Sequence, residues 1–168
     1  MTWIRKRKRF SRPRKLFDKA RIEEENNLVE LYGLKNKREI WKADAAIARI
    51  RDRAKKLITS SQEKQKVLIE KLNKMGLKVE KIADILGLDK ESWLKRRLQS
   101  VLVEKKLARP REARQLIAHK HVVINNKVVN IPSYIVKVDE ESKIQVIRKA
   151  KKAAEEKKEI KQEGKGEG

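Results

Sequence analysis

Residues 96–134 read RRLQSVLVEKKLARPREARQLIAHKHVVINNKVVNIPSY, and the pattern within them decides the fold. Leu98, Val101 and Leu102, with Leu94 just upstream, recur at helical spacing, so a helix is expected over 90–107. Asp89 stands at its cap and Glu91 in its first turn, where negative charge suits the helix dipole. Lys95, Arg96 and Gln99 fall away from the apolar stripe. Pro110 suits the first position of a second helix, because its missing N–H would be unpaired there anyway. In that helix Ala113, Leu116 and Ile117 face inward, while Arg111 and Arg114, three apart, share an outer face. Two strands follow at 121–124 and 127–131, joined by Asn125 and Asn126, which tolerate the positive φ of a two-residue hairpin turn. Residues 134–138 and 143–147 read as two further strands. Arginines on exposed helix faces, backed by a small rigid scaffold, suit the phosphate backbone of folded RNA better than a small-molecule pocket.

Upstream the chain reads as helical. A helix is expected over 18–32, closed by Gly33, a residue that commonly supplies the left-handed end. Asn36 and Glu39 have capping-box spacing ahead of a second helix carrying Ile40, Ala43, Ile47, Ile50, Ala54 and Leu57. Its other face displays Arg49, Arg53 and Lys56. A third helix fits 61–75 and stops at Gly76. Before all of these, residues 1–21 hold ten Lys or Arg and one Asp, with Trp3, Phe10 and Phe17 among them and Pro13 breaking any helix. The expectation is an arm that is disordered alone and orders against RNA, with Arg on phosphates and aromatics on bases. Past Arg148 the chain is mostly Lys and Glu and is expected to be a disordered tail.

The 168 residues carry a formal net charge of +22, from 46 Lys and Arg against 24 Asp and Glu. Such a balance opposes compaction and favours a polyanionic partner, nucleic acid first and an anionic membrane second. No window approaches the roughly 18 uninterrupted apolar residues of a spanning helix. With no cysteine, disulfides and thiolate metal sites are excluded, and neither cofactor nor metal is expected.

Two rival classes can be weighed. Residues 82–98, IADILGLDKESWLKRRL, resemble a DNA-binding helix-turn-helix, with Ala83 and Gly87 suitably separated. Trp93 and Arg96 then fall where that motif needs a medium aliphatic and a buried residue, which disfavours it. An enzyme is disfavoured as well. The only histidines are His119 and His121, expected on opposite strand faces or in a loop, and no P-loop, dinucleotide turn or paired-His motif occurs.

Three segments, RIEEENNLVELYGLKNKREIW at 21–41, DILGLDKESWLKRRLQ at 84–99 and ARPREARQLIAHKHVVINNKVVNIPSYIVKVD at 108–139, together resemble the archaeal and eukaryotic branch of the small-subunit ribosomal protein four family. The last segment resembles the RNA-binding module named after that family. The resemblance implies an α+β fold: a basic arm at 1–20, a helical domain at 21–88, the module at 89–150 as two helices and a small sheet, and a charged tail at 151–168. By position it implies that Arg97, Arg109, Arg114, His119 and Lys120 face RNA, with Asn125, Asn126 and Lys127 at the hairpin tip. The wider basic set adds Arg5, Lys6, Arg7, Lys8, Arg9, Arg12, Arg14, Arg21, Lys37, Arg38, Arg49, Arg53, Arg96 and Arg111. Asn126 stands where many members have Gly, and the zinc site that some bacterial members build from cysteines is not available here. The family implies a non-enzymatic, cytoplasmic component of the small ribosomal subunit. Its partners would be ribosomal RNA at a 5′-domain junction, the third and fifth small-subunit proteins, and messenger RNA near the entry channel. Further implications are early assembly, an influence on decoding accuracy, no membrane and no homo-oligomer.

Overall fold

Two left-handed glycines divide the helical half into its pieces. Helix α1 (Lys19–Tyr32) ends at Gly33, φ +58°, whose N–H and that of Leu34 close back onto the carbonyls of Glu30 and Val29. Helix α2 (Arg38–Leu57) follows, then α3 (Gln62–Lys74), which stops before Gly76 at φ +78°. The computed structural model describes residues 9–147. Arg5, Lys6, Arg7, Lys8 and the Lys/Glu tail lie outside the described residues.

The chain then continues through α4 (Ile82–Leu86), α5 (Lys90–Lys95), α6 (Leu98–Glu104), α7 (Pro110–Ala118), β1 (Val122–Ile124), β2 (Lys127–Val128), α8 (Val138–Glu141) and β3 (Ile144–Val146). The fold is α+β. The strands form one antiparallel sheet in the order β2-β1-β3, with Val123 opposite Val128 and Ile124 opposite Ile144. Asn125 and Asn126 both take positive φ, 50° and 62°, the signature of the expected hairpin turn. Asn126 thus adopts the conformation that Gly would supply.

Three apolar clusters hold these elements. One fills the space between α6, α7 and the sheet: Leu98, Val101, Leu102, Ala113, Ile117, Val122 and Val136 are fully buried there. At about 1.5–3 kcal/mol for each large aliphatic side chain, this cluster dominates the local energetics. A second joins Leu28, Tyr32 and Leu34 to Ile40, Ala43 and Leu94. A third gathers Ala54, Leu68, Leu72, Leu77, Val79 and Ile85. Helix α2 contributes to the last two and so runs as the spine of the helical half.

Several expectations are corrected. The single helix over 90–107 is two, broken at Arg96 and Arg97, because residues 134–136 run antiparallel beside the break. Leu98 N–H donates to Tyr134 O at 2.7 Å and Val136 N–H to Arg96 O at 3.0 Å, bonds that a continuous helix could not make. In place of a strand over 134–138 there is one isolated bridge, Arg97 with Ile135, and α8 already begins at Val138. Gln99, expected away from the core, is buried. Asn36 and Glu39 make no capping box: Lys37 is already helical, and Glu39 turns its carboxylate elsewhere. The segment at 82–98 offers no recognition helix, since α5 has six residues and buries Leu94 against α1 and α2. The arm from Arg9 onward contacts the helical half at defined points. Phe10 lies against Trp41, with ring centroids 6.1 Å apart, and Arg21 holds the carbonyls of Lys15 and Leu16 at 2.9 and 3.1 Å.

Candidate nucleic-acid interface

The basic residues separate into two populations. The first is committed inside the protein. Glu39, on the apolar register of α2 one turn before Ala43, receives Arg97 Nη2 at 2.5 Å and Arg114 Nη2 at 3.0 Å. One carboxylate from the helical half thereby fixes the start of α6 and the middle of α7. Burial pushes Glu39 up, but hydrogen bonds from Arg114 and Arg97 and their charges outweigh it, and the carboxyl ends below the ordinary glutamate value of 4.5. The Arg97 side chain is only 5% exposed, so it lies inside this seam rather than on an open helix face. Arg114 is partly buried and does not share an open face with Arg111, because Glu39 draws it to the seam.

Arg96 is likewise occupied. Its Nε donates to Met75 O at 3.0 Å and its Nη2 to Val136 O and to Glu141 Oε2, both at 3.0 Å. The guanidinium lies against Gly76 so closely that a Cβ there would fall 2.4 Å from it. Arg21 and Lys37 both serve Glu25, a buried carboxylate of α1 that also accepts from Trp41 Nε1 at 2.9 Å. Burial raises Glu25, but the Trp41 and Arg21 hydrogen bonds and the Arg21 and Lys37 charges leave it below 4.5. Neutral polar groups secure the same seam. Gln99 Nε2 contacts three carbonyls, those of Tyr32, Gly33 and Pro110, at 2.8–3.0 Å, tying the end of α1 to the start of α7.

The second population is exposed. Arg109 and Arg111 stand at the N-terminal end of α7, and His119 and Lys120 follow its C-terminal end, about 13 Å along the helix by rise per residue. Asn125, Asn126 and Lys127 project at the hairpin tip. Lys120 holds φ +63° between two histidine rings that stack with centroids 6.5 Å apart, so His119 and His121 lie side by side in the turn. On the helical half, Arg38 is exposed, as are Arg49 and Arg53 one turn apart, and Arg9, Arg12 and Arg14 are exposed on the arm. None of these last six joins the Glu39 group.

Sequence reasoning missed Glu25, Glu39 and Gln99, the groups that position the rest. A signal existed for two: Glu25 keeps helical register with Leu28 and Tyr32, and Glu39 with Ala43, so each is a carboxylate placed on a buried stripe. Among the described residues no group of three or more His, Cys, Asp or Glu could hold a metal ion. No helix among them is long and apolar enough to cross a membrane.

Comparison with known proteins adds family relationships to this geometry. The S4 domain family matches residues 96–142, from the α5–α6 break through α8. The chain is 42% identical over 146 residues to small ribosomal subunit protein uS4 of Saccharolobus islandicus, covering 82% of this chain and 81% of that protein. It is 39% identical over 151 residues to the uS4 protein of Korarchaeum cryptofilum, covering 86% of this chain and 91% of that one. The uS4 protein of Methanothermobacter thermautotrophicus is 39% identical over 145 residues, with 82% and 85% covered.

Proposed function

This chain belongs to the uS4 family of small ribosomal subunit proteins, and from that membership we propose that it is a structural, non-enzymatic constituent of the small subunit that binds ribosomal RNA. The match along most of both chains carries the reading, and the exposed cations of the module give it a mechanism. Arg109, Arg111, His119, Lys120 and the 125–127 tip form the primary contact. Arg38, Arg49, Arg53 and the arm's Arg9, Arg12 and Arg14 extend it. Arginine suits this task because its planar fork bonds a phosphate in two places and stacks on bases.

The finer reading is that the protein binds early, at a junction of helices in the 5′ domain, and nucleates assembly of the subunit body. In the finished cytoplasmic subunit it lies beside the third and fifth small-subunit proteins near the messenger entry channel and influences decoding accuracy. The resemblance at 21–41, 84–99 and 108–139 supports these assignments.

The test is affinity for a structured small-subunit RNA fragment. Arg109→Ala with Arg111→Ala should weaken binding at least about tenfold, given about 1.5–3 kcal/mol for each charge-assisted hydrogen bond. Lys64→Ala with Lys71→Ala, an equal charge loss on the exposed surface of α3, should cost less than about threefold. Equal losses would mean that net charge alone governs binding. Displacement of the RNA by duplex DNA at equal phosphate concentration would favour a DNA-binding protein instead.

A further inference from the structure

We infer that Glu25 is a positioning residue that docks the N-terminal arm onto α1 and α2 before any RNA is met. Two attachments hold the described arm, and both lead back to this one carboxylate. In the first, Arg21 uses Nη1 on Glu25 Oε1 at 2.6 Å, which leaves Nη2 aimed at the carbonyls of Lys15 and Leu16. In the second, Trp41 donates Nε1–H to the same Oε1 at 2.9 Å, fixing the indole so that its ring receives Phe10 at 34°. Lys37 closes the group, with Nζ 3.6 Å from Oε2 and 3.3 Å from Ile22 O. Phe17, by contrast, is 92% exposed, so the arm is attached at defined points rather than collapsed generally.

The chemistry explains why a carboxylate does this. A guanidinium with one edge held by an anion keeps its other edge as an oriented donor pair, which suits two successive backbone carbonyls. A tryptophan with its N–H bonded loses rotamer freedom and offers a fixed aromatic face. Removing the charge loosens both at once. The docked arm keeps Arg9, Arg12 and Arg14 exposed, so the segment is ordered while its cations stay free for a polyanion.

The consequence for affinity rests on the RNA-binding reading; the docking itself does not. Where only a docked fraction of molecules is competent, apparent affinity falls in proportion to that fraction. Reducing docking to about a tenth would weaken RNA binding about tenfold.

Limited trypsin digestion of the full chain without RNA, followed by mass, tests the docking at Arg14 and Lys15. Phe10→Ala and Glu25→Gln should each speed cleavage there several-fold, and Phe17→Ala should leave it unchanged. Phe10 lies outside the helical cores, so its variant should keep the wild-type melting temperature, and it decides the matter should Glu25→Gln unfold. The Trp41 indole N–H resonance should shift in Phe10→Ala, a response that loss of stability alone would not produce. Unchanged cleavage and an unmoved indole signal would overturn the docking. Wild-type protein that fails to bind ribosomal RNA would overturn the functional reading while leaving the digestion result to decide docking. Faster cleavage with undiminished RNA affinity would overturn the affinity consequence alone.

Discussion

Replacing Glu39 by Gln should damage the protein far more than an ordinary substitution on a basic helix. The side chain keeps its volume and one acceptor, but the anion between Arg97 and Arg114 is gone. Arg97 is then a 95% buried cation without a counter-charge, while Arg114, at 28% exposure, can swing toward water. Stranding one member of a buried ion pair costs about 3–5 kcal/mol. Relief through Arg114 favours the lower end, about 3 kcal/mol. For a domain of this size about 1 kcal/mol moves the melting temperature by about 2–4 °C, so a drop of about 6–12 °C is expected. Thermal melting followed by far-ultraviolet circular dichroism, with a urea titration for the midpoint at constant slope, measures it. The partner variant is Arg97→Met, and the double variant closes a cycle. Because removing both members replaces a charged contact by an apolar one, the double variant should be less destabilised than the sum of the singles by about 1–3 kcal/mol. A Glu39→Gln protein that melts within 2 °C of wild type (about 1 kcal/mol or less), or strictly additive singles, would refute the reasoning that this carboxylate locks the module to the helical half.

Two other perturbations probe the same seam. Gly33→Ala places a Cβ 2.8 Å from the Pro110 backbone at φ +58°, and neither backbone can yield, so it should lower the urea midpoint by at least about 2 kcal/mol equivalent. Gly87→Ala meets nothing nearer than 3.6 Å at an ordinary negative φ and should be neutral or slightly stabilising; equal losses at the two glycines would contradict the packing account. Acid should unfold the protein partly through Glu25 and Glu39. Both carboxyls lie below 4.5 when folded, so what they contribute is fully present above pH 4.5 and is lost as pH falls through their lower folded values. The double Gln variant should show a flatter stability profile below pH 4.5, and a profile as steep as wild type would count against that assignment.

What could be read from the sequence tracks how local each determinant is. The helix ends at Gly33 and Gly76, the stripe of α2 and the Asn125–Asn126 turn depend on near neighbours in the chain, and all were legible. The break between α5 and α6 was not, because its cause is the 134–136 segment returning to bond Arg96 and Leu98. The same non-locality hid the fate of the cations. Arg96, Arg97 and Arg114 carry the charge and spacing expected of RNA contacts, and only the distant carboxylates Glu39 and Glu141 show that they are engaged within the protein. Exposed Arg109 and Arg111 differ from them in no feature of local sequence.

This division has an electrostatic logic with a measurable edge. In a chain of net charge +22, every point where two basic elements must touch is a point of repulsion. Glu25 lies where the arm, α1 and α2 meet, and Glu39 where α2, α6 and α7 meet, so the repulsion is cancelled where packing requires it. Among the described residues, no ion pair cancels the exposed cations Arg9, Arg12, Arg14, Arg38, Arg49, Arg53, Arg109, Arg111 and Lys120. The two populations should therefore answer oppositely to salt. Buried pairs are screened little, whereas repulsion among exposed cations is screened over a Debye length of about 10 Å at 0.1 M. Raising salt from about 50 to about 200 mM should leave the free protein equally or more stable, while affinity for the RNA fragment falls by about three decades or more if six or more phosphates are contacted. Melting curves and RNA titrations on one preparation at both salts would decide it. A protein whose stability and affinity fell together would show that the interior pairs are not shielded, and the separation of the two populations would be wrong.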